Sequence, residues 1–553
     1  MRLVEIRELD GPNVFLLEPA MKVELEVNGA DLSGDTARAF YRRLEHWGAS
    51  DPEGEEGEEG DSHTDPVVPL VDGLLEVIGL LHGRAGVPAP NARWERMEEP
   101  DHVTIAFGWT HRRAGVAVAE AIAALALGEP VDHDEVVATL RTIVASPAKL
   151  GDAPLVVRDR DRHKRIVAIT GTNGKTTTTR LVASILAATG TGVGWTSTNG
   201  VWVNGEEVLD GDWTGIRGAR RVLDHPDVEV AILETARGGI LQRGVAYQSN
   251  DVAVVTNVTA DHLGLHGVLT VEGLLRVKAV VPRTTRSSGT VVLNADDALV
   301  QTLATTVRAS VFLVSRQPEN PFVTAHVLAG GEALVVRDGW LTHLTAGQAR
   351  ALVSLEDVPM TFGGRAAHMV ENALGGAAAC LALGLSTDQV VTGLRAFRNA
   401  VDSNPGRLNA YDVDGITVIS DYAHNEAGLR HLLSFARTFV GPDGHLFSLI
   451  STAGDRTDAT LVSLGKIAAG GADRVLVKRT HRYLRGREPG EMERLFAAGI
   501  VEGGQQMAPP VDTEIEALDI FMRTTKPGDV IAMMCIEDGD ELRARLAEIG
   551  TPI

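Results

Sequence analysis

Arg165-Ile166-Val167-Ala168-Ile169-Thr170-Gly171-Thr172-Asn173-Gly174-Lys175-Thr176-Thr177 is the stretch whose reading decides the fold of this chain. It opens as an apolar strand, turns through two glycines, and leads into a segment, 177–189, with the composition of a helix. A strand, a glycine turn and a helix N-terminus together offer several backbone N–H groups and a positive helix end to a phosphate. The glycines let the backbone come close, Lys175 can neutralise β- and γ-phosphates, and the Thr176 hydroxyl can ligate Mg²⁺. Ile169 stands where the general G-x-x-x-x-G-K-[ST] pattern has its first glycine, so the loop is a shortened form. The expected nucleotide contacts are Gly171, Thr172, Asn173, Gly174, Lys175, Thr176 and Thr177.

Outward from this loop, short β-branched runs recur at 165–170, 228–233, 251–257 and 290–294, separated by longer amphipathic segments. That alternation predicts parallel strands covered by helices. A second series at 415–420, 445–450, 473–477 and 529–535 sets a boundary near Pro405. Upstream, Met21-Lys22-Val23-Glu24-Leu25-Glu26-Val27 alternates like a half-buried strand, and 114–127 and 132–145 read as helices. The expected division is a small α+β domain over 1–150 with an acidic loop at 51–66, a polar linker over 151–164, a central domain over 165–404 and a C-terminal domain over 405–553. The fold class is α/β, with a P-loop central domain and a Rossmann-like C-terminal domain.

Composition excludes several function classes. At 553 residues the chain is too long for one ordinary domain, and 44% hydrophobic residues suffice for sizeable cores. A net charge of -22 argues against nucleic acid, which is bound through concentrated positive charge. No apolar run reaches the roughly 18 residues of a membrane span, and Met1-Arg2-Leu3-Val4-Glu5 is charged where a signal peptide is apolar. Cys380 and Cys535, both in apolar surroundings, form no disulfide framework or metal-ligand spacing, which fits a reducing cytoplasm. No Ser-His-Asp or Cys-His arrangement is apparent.

Further segments carry a family resemblance. The loop G-T-N-G-K-T-T-T, then Glu234-Thr235-Ala236-Arg237-Gly238-Gly239, Asn257-Val258-Thr259-Ala260-Asp261-His262, Asn294-Ala295-Asp296-Asp297, Pro405-Gly406-Arg407, Asp421-Tyr422-Ala423-His424-Asn425 and Leu484-Arg485-Gly486-Arg487 occur in the order of the Mur ligase superfamily. The pattern most resembles the Mur-like module of that superfamily's cyanophycin synthetase branch. Leu9-Asp10-Gly11-Pro12-Asn13 and Phe107-Gly108-Trp109-Thr110 resemble the same branch's small N-terminal domain. The chain departs from that branch in one respect: 145–164 leaves room only for a linker where the branch carries an ATP-grasp domain. Met369 in His368-Met369-Val370-Glu371-Asn372 and Glu426 after Asn425 also depart from residues frequent in the wider family.

The resemblance implies an ATP-dependent ligase that makes an amide or isopeptide bond through an acyl phosphate and releases ADP and phosphate. It implies ATP and Mg²⁺, with two divalent ions: one on Thr176 and Glu234, the other on His262. Lys175, His262 and Lys278 are the implied catalytic residues, Lys278 as a carbamylated metal ligand unless it is an ordinary surface lysine. Asn294 falls in the adenine-side segment, and Arg407 and Asp421 reach ATP from the third domain. Asp212, Thr214 and Arg237 would face the carboxylate substrate. Arg485 and Arg487, in the basic run 478–487, would hold the α-carboxylate of an incoming amino acid. The expected partners are a small-molecule or peptide carboxylate and an amino acid or other amine. A homo-oligomer and a separately encoded ATP-grasp protein stay open, as does a non-catalytic nucleotide-dependent scaffold.

Overall fold

The computed structural model describes residues 1–50, 65, 67–145 and 151–553. Of the acidic loop expected at 51–66, all but Asp65 lies outside the described residues. Three sheets organise the chain. Ahead of the phosphate loop, strands Arg2–Leu9, Ala20–Glu26, His102–Gly108 and Ala92–Arg96 pair antiparallel in that order. Their alternation works as strand geometry requires. Met21, Val23 and Leu25, with Val103, Ile105 and Phe107, pack against helices Gly34–Trp47, Val67–Ala85 and Arg112–Leu127. The opposite face carries Lys22 and Glu24, joined as an ion pair, and His102, whose Nδ1 lies 2.7 Å from Glu24 Oε1.

That polar face looks toward the next sheet. Asp10 N donates to Arg243 O at 2.7 Å and Val245 N to Pro12 O at 2.9 Å. Arg276 pairs with Glu95, and Glu98 accepts from Thr270 N and Oγ1. The first unit therefore sits on the helices Arg237–Arg243 and Val271–Lys278, which carry Arg237 and Lys278.

The central sheet has eleven strands. Arg165–Thr170 lies in the middle, between Val230–Glu234 and Asn250–Val255, all parallel. Parallel strands covered on both faces should be apolar throughout, and these are buried along nearly their whole length. Val167 and Ile169 pack on one side against Leu181 and Ile185 of helix Lys175–Ala187 and Ala373 and Ala377 of helix Ala367–Ala382. Ile166 and Ala168 pack on the other side against Ile240 and Val277. The strand–helix alternation does not predict the antiparallel margins, Gly200–Val203 with Glu206–Leu209 at one edge and Trp340–Thr345 with Gln348–Ser354 at the other. Their signals are two-residue turns, Asn204-Gly205 with φ of 50° and 88° and Asp338-Gly339 with φ of 50° and 77°.

The last sheet has six strands. Arg474–Val477, Leu446–Ile450, Val530–Met534 and Ile416–Asp421 run parallel in that order, followed by Asn409–Val413 and, at the margin, Thr551–Pro552, each antiparallel to its neighbour. Among the described residues no helix is long and apolar enough to cross a membrane. Both cysteines are free and buried.

Candidate active site

In open α/β sheets ligands bind at the carboxyl ends of the strands, in the crevice where the strand order reverses. Here that crevice lies above Arg165–Thr170 and its two neighbours. Gly171 and Gly174 have φ of 144° and 89°, both in the region that favours glycine. Space forces the same choice, because a Cβ at Gly171 would meet Thr256 Oγ1 and one at Gly174 would meet Asn372 Oδ1.

The end of the strand Asn250–Val255 pins the turn. Thr172 N donates to Asn257 O at 2.8 Å, Asn173 N to Asn257 Oδ1 at 2.9 Å, and Thr256 Oγ1 to Asn173 O at 2.6 Å. Thr172 and Thr259 exchange hydrogen bonds through the Thr172 hydroxyl. These hydrogen bonds tie the loop to the strand end over its whole turn. Lys175 Nζ donates to Thr172 O at 2.8 Å, which holds the amine over the turn.

Glu234 ends its strand 2% exposed, facing Thr176. Thr176 Oγ1 donates to Glu234 Oε1 at 3.2 Å, while Glu234 Oε2 is buried with no hydrogen-bond partner. Burial raises the Glu234 carboxyl, with Lys175, the Thr176 hydroxyl and Arg407 pulling the other way. A hydroxyl and an unsatisfied buried carboxylate oxygen, both hard oxygen donors, fit a divalent cation at this point.

Lys278 is no surface lysine. It is 3% exposed, and its Nζ donates to Gly171 O at 2.6 Å, beneath the phosphate loop. Burial, and then Lys175 nearby, push its amine well below the usual lysine range, with Asp261 opposing. The neutral amine this favours is the form that reacts with carbon dioxide.

His262 has a positive φ of 52° and lies against the third unit. Its Nδ1 lies 2.6 Å from Arg456 Nη1 and 3.1 Å from Asp455 Oδ2, and its Nε2 lies 3.3 Å from Arg456 Nη1. With the guanidinium in reach of both ring nitrogens, the surroundings of His262 as arranged do not fit a second ion. The hydrogen bond with His262 is the main cause holding the Asp455 carboxyl down at about 2. Burial would raise Asp261, but the hydrogen bond and charge of His424, with His262 and Arg456, hold it far below the carboxylate range.

Asp212 Oδ1 accepts from Thr214 N at 3.0 Å and Oγ1 at 2.7 Å, so these two residues make one closed turn. Trp213 N donates to Ser197 O, and Thr198 touches Thr176, which ties the turn to the metal side of the crevice. Gly215 lies against Gly239, two residues after Arg237, whose guanidinium donates to Leu265 O at 3.2 Å.

From the third unit, Arg407 stacks on Tyr422 with its guanidinium carbon 4.8 Å from the ring centroid. Asp421 Oδ2 accepts from Leu408 N at 2.8 Å, so this carboxylate shapes the turn that carries Arg407. Asn294 is buried; its Nδ2 donates to Thr256 O and its Oδ1 accepts from Asp296 N, which makes it a clamp between strand ends.

The basic run at 478–487 is largely neutralised. Lys478 is fully buried against Glu537 at 2.5 Å, Arg479 pairs with Asp512 and Arg482 with Asp538. Arg487 donates to Gly454 O at 2.8 Å, Arg456 O at 2.6 Å and Asp458 Oδ1 at 2.7 Å, which makes it the brace of the Gly454–Asp458 loop. Arg485 is exposed with φ of 52°, and no acid lies within ion-pair distance of it among the described residues.

Sequence reasoning missed Asp455, Arg456 and the role of Asn425. Asn425 pairs amide to amide with Asn173 of the phosphate loop, at 3.1 and 3.3 Å. The available signal was position, since Asp455-Arg456 follows the apolar strand Leu446–Ile450 and Asn425 follows Ile416–Asp421.

The Mur ligase middle domain model matches residues 169–380, and the model of the Mur ligase glutamate ligase domain matches 406–535. A cyanophycin synthetase of Synechocystis sp. is 42% identical over 337 residues, covering 61% of this chain and 38% of that protein. The chain thus spans under half the length of that relative. A UDP-N-acetylmuramoyl-L-alanyl-D-glutamate–2,6-diaminopimelate ligase of Synechococcus elongatus is 30% identical over 383 residues, covering 67% of this chain and 71% of the relative. Among solved structures, a bifunctional folylpolyglutamate synthase/dihydrofolate synthase with Mn, AMPPNP and L-glutamate bound superposes with a TM-score of 0.52 at 20% identity, over 69% of this chain and 89% of the other. That likeness is one of fold.

Proposed function

The chain belongs to the Mur ligase family, and from that premise we propose that it is an ATP-dependent, ADP-forming ligase joining a carboxylate to an amine. The observation that carries the reading is the convergence in one crevice of the Lys175–Thr176 phosphate loop, the partnerless Glu234 oxygen and the turn of Asp212 and Thr214. The substrates are a small-molecule or peptide carboxylate and an amino acid or other amine. ATP supply and the two buried thiols fit a reducing cytoplasm.

Amide formation from a free carboxylate is uphill in water, so the carboxylate must first be activated. The carboxylate oxygen attacks the γ-phosphorus, the bond to the β–γ bridging oxygen breaks, and ADP departs. The amine nitrogen then attacks the acyl carbon, the carbon–oxygen bond to phosphate breaks, and the amine's proton is lost to a base. Such transfers are accelerated mainly by positioning and charge neutralisation. The turn at Gly171–Gly174 and the N-terminus of helix Lys175–Ala187 hold the phosphates, with Lys175 over them and Arg407 entering from the third unit. A divalent cation held by Thr176 and Glu234 would supply positive charge at the phosphate oxygens. Thr214 and Arg237 orient the reacting carboxylate. Buried, with its amine pushed well below the usual lysine range, Lys278 is suited to carbamylation, which would place a carboxylate beneath the loop. Arg485 is the cation available to the carboxylate of an incoming amino acid.

In this reading the small domain spans 1–150, the linker 151–164, the central domain 165–404 and the C-terminal domain 405–553. Incubation with ATP, Mg²⁺ and acid–amine pairs is expected to release ADP and phosphate in step with an amide product. Release of AMP and pyrophosphate would overturn the acyl-phosphate route.

A further inference from the structure

The polar face of the first sheet encloses a cavity of about 220 Å³ against the helices Arg237–Arg243 and Val271–Lys278 and the loop after His262. Five glutamates line it against three cations, Arg7, Lys22 and Arg276, a surplus of two negative charges. Four of the five are satisfied. Glu5 pairs with Arg7 and Lys22, Glu24 with Lys22, and Glu95 with Arg276, while Glu98 accepts from Thr270 N and Oγ1. Glu99 is the exception: its Oε2 is buried with no hydrogen-bond partner among the described residues.

Two further metal-ligating side chains stand beside Glu99. One donor atom each from Glu24, Glu99 and His102 lie within 4.8 Å of one another. Glu24 is 6% exposed, and its Oε1 lies 2.7 Å from His102 Nδ1. Thr104, two residues along the strand His102–Gly108, is on the same face and opposite Glu24 in register. It is 0% exposed, and its hydroxyl is likewise without a partner among the described residues. Buried polar groups are nearly always paired, so two orphans on one face call for a partner. The charge surplus of the lining makes that partner a cation.

We propose that Glu24, Glu99 and His102 bind a divalent transition-metal ion, Zn²⁺ by their chemistry, where the first unit meets the central domain. One imidazole and two carboxylates are a zinc-type donor set, whereas calcium and magnesium are held through oxygen. Ligands at about 2.0–2.2 Å around a tetrahedral ion stand roughly 3.4 Å apart, so the three side chains need only small rotations to close on it. Lys22, on the second oxygen of Glu24, orients that ligand from outside. The fourth position opens on the cavity and takes water. Glu99 also abuts the central domain, because a Cβ on Gly267 would meet its Oε2. The ion would therefore brace the turn at 97–101 against the loop that carries His262. The inference does not depend on the ligase reading.

The test is a Zn²⁺ titration of the full chain in competition with a chromophoric chelator, which needs no turnover. It is run on Glu234→Gln, so that the ion expected at the phosphate loop does not enter the count. One equivalent of Zn²⁺ is expected to bind ahead of any other. Adding Glu99→Gln and His102→Gln should weaken that binding on the order of 100-fold or more. Adding His133→Gln instead, which breaks the exposed group Asp132, His133 and Asp134, should leave it unchanged. Circular dichroism checks the fold of each variant. Zinc-edge X-ray absorption of the one-equivalent complex is expected to show a single imidazole with oxygen ligands, and it decides the matter even where the ligand variants fail to fold. Zn²⁺ held equally well without Glu99 and His102, binding lost with His133, or a spectrum with no imidazole or more than one would overturn the site. So would the absence of a tightly bound equivalent.

Discussion

Glu234→Gln should make the protein more stable and nearly inactive at once. The carboxylate is 2% exposed; one oxygen accepts from Thr176 at 3.2 Å and the other is buried with no partner. An unsatisfied buried polar group costs about 1–3 kcal/mol, more when charged. Glutamine keeps an oxygen for Thr176 and leaves its amide nitrogen as partnerless as Oε2 was, so the gain comes from removing the buried charge alone, and Lys175 in the wild type offsets part of that. A net gain of about 1 kcal/mol in Mg²⁺-free buffer follows, or about 2–4 °C in the melting of a domain of this size. With Mg²⁺ and AMPPNP the order should invert. Wild type gains the stabilisation that ligand binding confers, and the variant loses most of it along with an anionic metal ligand. Turnover should fall on the order of 100-fold or more, the scale of losing one charge-stabilising group. Differential scanning fluorimetry across the four conditions, paired with ADP release, measures both effects. A variant that melts below wild type without Mg²⁺, or that gains as much as wild type from Mg²⁺ and AMPPNP, would refute the assignment.

Three further outcomes are expected. Gly174→Ala places a Cβ at φ of 89° and against Asn372 Oδ1, costing about 1–2 kcal/mol for the backbone alone, so calorimetry should find ATP affinity down about tenfold or more. Arg487→Ala removes the brace of the Gly454–Asp458 loop and should cost about 2 kcal/mol with a fall in kcat, whereas Arg485→Ala should leave the melting temperature in place and raise KM for the amine. His368 stacks on His431 across the second and third units, with ring centroids 5.0 Å apart, and burial, followed by His431 and Arg316, pushes it down to about 3. A histidine lowered in the folded state gives stability that is present above about pH 6.5 and lost as pH falls toward its folded value. Because the ring is partly exposed, roughly 0.7 kcal/mol per pH unit is expected, half the limiting slope. Urea titrations at pH 7 and 5 should show that loss in wild type and a smaller one in His368→Gln.

The sequence made the phosphate loop legible because its chemistry is local. A strand, two glycines and a lysine within a dozen residues leave few structures open, and both glycines prove to be required by φ and by space. The parallel strands were legible for the same reason, since a strand buried on both faces must be apolar along its length. Lys278 was ambiguous because its helix, Val271–Lys278, has a polar side, and only the tertiary fold places the amine under Gly171 O. The run at 478–487 misleads in the opposite sense. Its cations meet Asp512, Glu537 and Asp538, residues 33 to 59 positions away that no local reading connects to them.

The contacts missed in the sequence are those that join the phosphate loop to the third unit, and they bear on how the crevice works. Asn425 accepts from Gly428 N at 2.8 Å, capping the helix Glu426–Arg437, and exchanges hydrogen bonds with Asn173 inside the loop. Asn404, just before the third unit, accepts from Arg180 and donates to Thr177, both on the helix that follows the loop. Arg456 reaches His262 and Asp261 on the far side of the same crevice. The loop and the third unit therefore share hydrogen bonds on two sides of the phosphate position. A displacement of the third unit would break the Asn173 and His262 contacts together. In the proposed ligase, these shared contacts would couple the seating of the third unit to completion of the phosphate site, as a reaction that must keep an activated carboxylate from water until the amine arrives would require.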